Sequence, residues 1–275
     1  VNIVLLDWGI AFAAMLGAGI AAGFAAGLFG IGGGFVAVPA LFVVLPLLGG
    51  DGSETAHVAI GTSLATIVAT SLRSTQAHAR RGAVDFDVLR GWAPWVVAGV
   101  AAGVLIAARL SGTGLALVFG IGVIAMAIHF LFPLLGRAPL HEAMPAGAAR
   151  AGIAGGLGAF SSLLGIGGGT IAVIVMTMCG KSIHRAIATA SGLGFIIALP
   201  GTIGFVAIGA GDTGLPWGST GYVNWPAAFA IASTSIVSAP WGAAAAHALR
   251  PETLRRAFGL YLLAIGALMI RNAMH

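Results

Sequence analysis

The chain reads as an all-α polytopic membrane protein made of two inverted repeats of five helical elements, each with a re-entrant or broken helical hairpin. Three observations predict it. Hydrophobic residues make up 59% of the chain and charged residues 8%, with a mean hydropathy of +1.03, which leaves too little polar surface for a soluble domain. Apolar runs of roughly 20 residues, enough to cross about 30 Å of hydrocarbon, recur along its length with short polar interruptions. The pentapeptide Gly-Ile-Gly-Gly-Gly occurs twice, at Gly30 to Gly34 and Gly165 to Gly169, each time at the same place in a longer pattern.

That pattern continues as AHVAIGTS (Ala56 to Ser63) in the first copy and IHRAIATAS (Ile183 to Ser191) in the second, and GAVDF (Gly82 to Phe86) pairs with GYVNW (Gly221 to Trp225). The repeats are therefore 1–136 and 137–275, forming one transmembrane domain.

Ten hydrophobic elements follow in order, at residues 10–29, 34–48, 58–77, 88–109 and 113–135, then 147–164, 169–180, 185–209, 223–248 and 254–271. Elements one and six carry Gly19, Gly23 and Gly27, and Gly152 and Gly156, at the small-xxx-small spacing that lets helices pack closely. Element two, Phe35 to Leu48, spans about 21 Å and contains Pro39 and Pro46, which interrupt helical hydrogen bonding. Elements three and eight start beside the His-x-Ala-Ile stretch and carry Thr62, Ser63, Thr66, Thr70 and Ser71, and Thr189, Ser191 and Thr202. Elements four, five, nine and ten are long apolar runs. Element seven, Gly169 to Gly180, spans about 18 Å and is too short to cross, so each glycine run is expected at the tip of a re-entrant hairpin.

Five elements per half force the second half into the opposite orientation, and the loop charges agree. Arg73, Arg80, Arg81, Arg90, Arg137, Arg150, Lys181, Arg185, Arg250, Arg255 and Arg256 fall on one side, leaving only Arg109 and Arg271 opposite. Asp85, Asp87, Glu142 and Glu252 lie beside the basic cluster, and Asp7, Asp51, Glu54 and Asp212 lie opposite. The basic side is expected to be cytoplasmic, with both termini outside. This distribution serves topology and leaves no basic patch for nucleic acid. The run Ile3 to Leu16 leads into a membrane segment with no basic n-region, so no removable signal peptide is expected. Cys179 is the single cysteine. It excludes an internal disulfide and reads as an apolar helix residue.

Three consecutive glycines let the backbone turn sharply and present N–H groups at the positive end of the following helix, which suits an anion. Two such tips entering from opposite faces meet near the midplane. The candidate substrate-binding residues are Gly30, Gly32, Gly33, Gly34, Thr62 and Ser63, with Gly165, Gly167, Gly168, Gly169, Thr170, Thr189 and Ser191. Thr62 and Thr189 match across the repeat. Arg73, His78 and Arg81 are candidate pathway or gate residues at the basic rim. No Asp or Glu falls well inside an element, so coupling through a buried acid is not expected. His57 and His184 sit at element ends and read as interfacial residues.

The segments GLFGIGGGFVAVPAL, HVAIGTSL, HARRGAVDF, LLGIGGGTIAV, RAIATAS and RPETLRRAFGLYLL resemble the TauE/SafE sulfite exporter family, also called the toluene sulfonate uptake permease family, over nearly the whole chain. The resemblance implies a bacterial inner-membrane transporter of small sulfur-containing anions such as sulfite or an organosulfonate like sulfoacetate. It matches both glycine tips and Gly61-Thr62-Ser63. The second half departs, reading Ala188-Thr189-Ala190, so the half-sites are chemically unequal. The expected mechanism is electrogenic, uniport-like export by alternating access, with the anion at the paired tips and no metal or cofactor. Proton-coupled uptake or export of an organosulfonate or thiosulfate-like anion is the alternative. A redox protein using His78, His129, His184 and His247 is a distant one, since no histidine spacing enforces paired ligands. The lipid bilayer is the surrounding partner, and a homo-oligomer is left open.

Overall fold

In the computed structural model, residues 2–29, 32–49, 52–132, 143–248 and 251–274 are described. Gly30, the 136/137 boundary and the charges Asp51, Arg137, Glu142 and Arg250 lie outside them. The described elements are α1 (Asn2–Phe29), α2 (Gly34–Val44) continued by a 3-10 turn (Leu45–Leu48), α3 (Thr55–Ala79), α4 (Phe86–Ala107) and α5 (Gly112–Leu131). These are followed by α6 (Gly147–Leu163), α7 (Gly169–Met178), α8 (Ile183–Ile208), a short antiparallel hairpin of β1 (Ser219–Thr220) and β2 (Val223–Asn224), α9 (Trp225–Ala248) and α10 (Pro251–Met274). The fold is an all-α polytopic membrane protein. Among the described residues five helices are long and apolar enough to cross a membrane, and Leu105, Ile203 and Phe229, each over 60% exposed, put apolar side chains where lipid would cover them.

Local chemistry sets the helix ends. Asp85, Ser111 and Ser182 cap α4, α5 and α8 by accepting from the N–H groups of Val88, Gly114 and Arg185. α2 has 11 residues and α7 has 10, about 16 and 15 Å, so neither can cross alone. Pro39, expected to interrupt element two, lies inside α2; Pro46 marks the change to the 3-10 turn. Its ring sits where the helix is already tightening.

The principal helix pairings correspond when α1–α5 are exchanged with α6–α10. α1 packs on α9 as α6 packs on α4, while α3 packs on α8 and α5 on α10. Glycine permits the closest of these approaches. A Cβ on Gly19 or Gly23 would run into the α9 backbone at Ile231 or Ser235, and one on Gly158 would run into α4 at Val96. Gly152 and Gly156, expected at such a contact, meet nothing within 4 Å, and Gly155 and Gly158 occupy the α4–α6 contact instead. All four glycines lie on one short helix, and the position of α4 selects the stripe that is used.

α3 and α8 run antiparallel through the centre. The start of α3 meets the segment that follows α8, where the N–H of Asn224 donates to Thr62 Oγ1 at 2.9 Å. The start of α8 meets the segment that follows α3, where the N–H of Asp85 donates to Thr189 Oγ1, also at 2.9 Å. The GAVDF and GYVNW stretches thus make the same bond to opposite halves.

Candidate functional site

The two glycine tips lie in contact. α2 starts after Gly33 (φ 79°, ψ −6°) and α7 after Gly168 (φ 66°, ψ 0°), both left-handed, a conformation that any side chain would strain. A Cβ on Gly32 would stand 3.4 Å from the Cα of Gly167, and one on Gly34 would strike the carbonyl oxygen of Gly165. Ser63 Oγ donates to that same Gly165 oxygen at 2.8 Å. α3 of the first half therefore holds the tip of the second.

Beside this contact lies a cavity of about 20 Å³ lined by Gly32, Gly167, Thr70, Ser71, Ser74 and Ser191, with Gly27, Gly194 and small alanines completing it. That is room for about one water molecule. Its polar groups are hydroxyls and backbone, with no ionised side chain among the lining residues. Ser74 and Ser191 approach to 3.1 Å between hydroxyl oxygens. Ser191 also donates to the Ile187 carbonyl at 3.1 Å, and Thr70 to that of Thr66 at 3.1 Å. These hydroxyls spend their protons on their own helices and would have to rotate to face a ligand.

The sequence-derived candidates divide accordingly. Gly32, Gly167 and Ser191 line the cavity, while Gly33, Gly34, Gly165, Gly168 and Gly169 shape the tips around it. Thr62, Ser63 and Thr189 do not line it. Thr62 and Thr189 accept from Asn224 and Asp85, and Ser63 braces Gly165. Thr170 Oγ1 is buried without a hydrogen-bond partner, as is Ser161 Oγ, which lies 2.9 Å from where a Cβ on Gly168 would stand. Arg73 and Arg81 are exposed and His78 is half-buried, and none of the three lines the cavity.

Sequence reasoning passed over Ser74 and Gly194 and did not choose Thr70 or Ser71. Ile67, which packs on both Gly32 and Gly167, stands with Thr70, Ser71 and Ser74 at three- and four-residue spacing. One face of α3 at that spacing was the available signal. Among the described residues no three His, Cys, Asp or Glu side chains gather as a metal site.

A family model described as sulfite exporter TauE/SafE matches residues 15–269. The chain belongs to the TauE/SafE family. Its relatives include a probable membrane transporter protein of Haemophilus influenzae, 34% identical over 90% of this chain and 93% of the relative. Another is the probable membrane transporter protein YunE of Bacillus subtilis, 25% identical over 95% of this chain and 98% of the relative. The probable membrane transporter protein MamO of Magnetospirillum gryphiswaldense is 27% identical over 96% of this chain but only 45% of its own length. No solved structure matches. Family membership and the apolar helices together identify a multi-pass membrane transporter. In this TauE/SafE protein the glycine contact and its hydroxyl-lined cavity form the candidate substrate site.

Proposed function

We propose that this TauE/SafE protein exports a small sulfur-containing anion, sulfite or a short organosulfonate, by electrogenic uniport-like alternating access between two inverted repeats. The observation that carries this reading is the meeting of two left-handed glycine tips, from Gly32 to Gly34 and Gly165 to Gly169, next to a cavity lined by hydroxyls and backbone.

Each tip opens a helix whose first N–H groups carry partial positive charge. An oxyanion held by such dipoles and by Ser74 and Ser191 is neutralised without a fixed cation, so it can leave as readily as it enters. A membrane potential negative inside favours anion exit by about 2.3 kcal/mol per charge per 100 mV, so export needs no coupling ion. The cavity in this conformation holds about one water, whereas sulfite has four heavy atoms. On this reading, loading requires the tips to part. The basic rim with Arg73, His78 and Arg81 would lie at the cytoplasmic mouth, in the inner membrane, and collect anions there.

The test is flux of sulfite and of a two-carbon sulfonate in proteoliposomes with an imposed potential of either sign, with and without a pH gradient. Flux that reverses with the potential and ignores the gradient is expected. Flux that requires the gradient would replace uniport with proton coupling, and no flux of either anion would reject the substrate class.

A further inference from the structure

Two hydroxyls around the start of α7, Ser161 Oγ and Thr170 Oγ1, are buried without a hydrogen-bond partner. Ser161 is 0% exposed and Thr170 9%. Ser161 stands in the last turn of α6, and its Oγ lies 2.9 Å from where a Cβ on Gly168 would stand. Gly168 is the N-cap of α7, so this hydroxyl is aimed at the start of that helix. Thr170 is the second residue of the helix itself. The first N–H groups of a helix have no partner within it and carry partial positive charge. Two buried hydroxyls beside such amides supply donors, and an anion with free oxygens is the acceptor that a helix start favours.

A hydroxyl buried without a bond costs free energy that packing alone does not return. Serine and threonine in helices ordinarily avoid that cost by bonding a carbonyl three or four residues back. Ser162 does so, donating to Ala159 at 3.0 Å, and Thr177 of α7 donates to Val173 at 2.8 Å. Ser161 has the same α6 carbonyls behind it and points to Gly168 instead. Thr170 lies in the first turn of α7, so the carbonyls three and four residues back belong to the glycine tip and not to its helix.

The first half has no counterpart. Counted from the shared glycine run, Ala26 and Phe35 occupy the places of Ser161 and Thr170. Phe35 is 1% exposed, with its ring edge-on to Phe258 at 6.2 Å between centroids. A Cβ on Gly33 would meet the carbonyl oxygen of Ala22, whereas one on Gly168 would meet Ser161 Oγ. The α2 tip is thus surrounded by apolar groups and an acceptor, and the α7 tip by hydroxyl donors.

We propose that Ser161 and Thr170 make the α7 tip an oxyanion subsite, their hydroxyls donating to oxygens of the anion, and that this subsite has no equal on the α2 tip. The inference rests on the anion-transport reading above and deepens it. In this conformation the side chains of Ile197 and Leu157 crowd Gly168, so the hydroxyls gain their partner when the tips part. Gly167 lines the cavity and Gly168 faces Ser161, and successive Cα atoms lie about 3.8 Å apart. An anion with two or more free oxygens on one centre suits donors spaced in this way, and a halide does not.

Binding of sodium sulfite and of sodium ethanesulfonate to the full-length protein in detergent tests it, read as the rise of the unfolding midpoint with concentration over sodium chloride of equal ionic strength. Ser161→Ala and Thr170→Val are each expected to weaken the apparent Kd about tenfold or more, the effect of losing a hydrogen bond to a charged group. Without either anion their midpoints should equal or exceed that of wild type, because neither hydroxyl bonds anything in this conformation. A purely structural hydroxyl would give the reverse, a lowered midpoint and an unchanged Kd. An unchanged Kd in either variant, or a midpoint lowered in the absence of both anions, overturns the inference and leaves anion transport standing. A wild-type midpoint that neither anion raises above the chloride baseline overturns the inference together with the reading on which it rests.

Discussion

Gly32 and Gly167 touch through their backbones: a Cβ on Gly167 would stand 3.6 Å from the Cα of Gly32, 3.5 Å from that of Gly194 and 3.4 Å from Cγ2 of Ile67. These are ordinary contacts, and Gly167 has no positive φ. Gly167→Ala is therefore expected to fold with stability changed by about 0.5 kcal/mol or less. Its methyl group takes up space beside a cavity of about 20 Å³, and flux should fall on the order of tenfold, equivalent to roughly 1.4 kcal/mol. Thermal unfolding and liposome flux on one preparation check both halves of the prediction.

Gly33→Ala should behave oppositely. Its φ of +79° strains any side chain, and the new Cβ would lie 2.8 Å from the Ala22 carbonyl oxygen. The expected loss is roughly 1–3 kcal/mol of stability, read as a lowered unfolding midpoint in detergent. A variant as stable as wild type would mean that the α2 tip readily adopts another backbone path.

Thr62→Val and Thr189→Val form a matched pair. Each leaves a buried backbone N–H, that of Asn224 or of Asp85, without its acceptor, at about 1–3 kcal/mol each. Both should lower thermal stability while leaving the apparent KM for the anion unchanged. A raised KM at unchanged stability would instead put these hydroxyls on the substrate.

Ser74→Ala and Ser191→Ala remove the facing hydroxyls of the cavity. Each should raise the apparent KM about fivefold, the effect of roughly 1 kcal/mol for one hydrogen bond. Loss of Vmax at constant KM would assign the pair to movement of α3 against α8 rather than to binding.

Asp85 gives a prediction in acid. Burial works to raise its pKa, but the Lys181 hydrogen bond, the Val88 N–H and the charges of Lys181 and Arg185 together bring it below the ordinary carboxylate value. A lowered pKa means that the stabilisation is full above the ordinary carboxylate range and is lost only as pH falls through the depressed value. Exchange protection of Ala83 to Val88 should be flat from mildly acid to alkaline pH and weaken only in stronger acid. Asp85→Asn should weaken it at every pH.

The ten described helices were legible because apolar length and glycine breaks are properties of the chain itself. The central contact was legible too, since two equal glycine runs on short helices can be satisfied against each other. Which hydroxyl faces which neighbour was not. Thr62, Ser63, Thr66, Thr70 and Ser71 crowd one helix, and rotation of α3 against α8 decides that Thr70 and Ser71 meet the cavity while Thr62 reaches Asn224. Pairing between the repeats marked Thr62 and Thr189, and that pairing belongs to a loop anchor. His57, read as an interfacial residue, is buried between Glu54, three residues before it, and the carbonyl of Ala107, which α4 brings to it.

The crossed pairing of helices, α1 on α9 and α6 on α4, makes each half the scaffold of the other. A chain cut between α5 and α6 would yield two fragments, each lacking the surface against which its first helix and its glycine tip are buried. Such fragments should be inert alone and regain activity when produced together. Co-expression complementation is thus written into the order in which the helices pack.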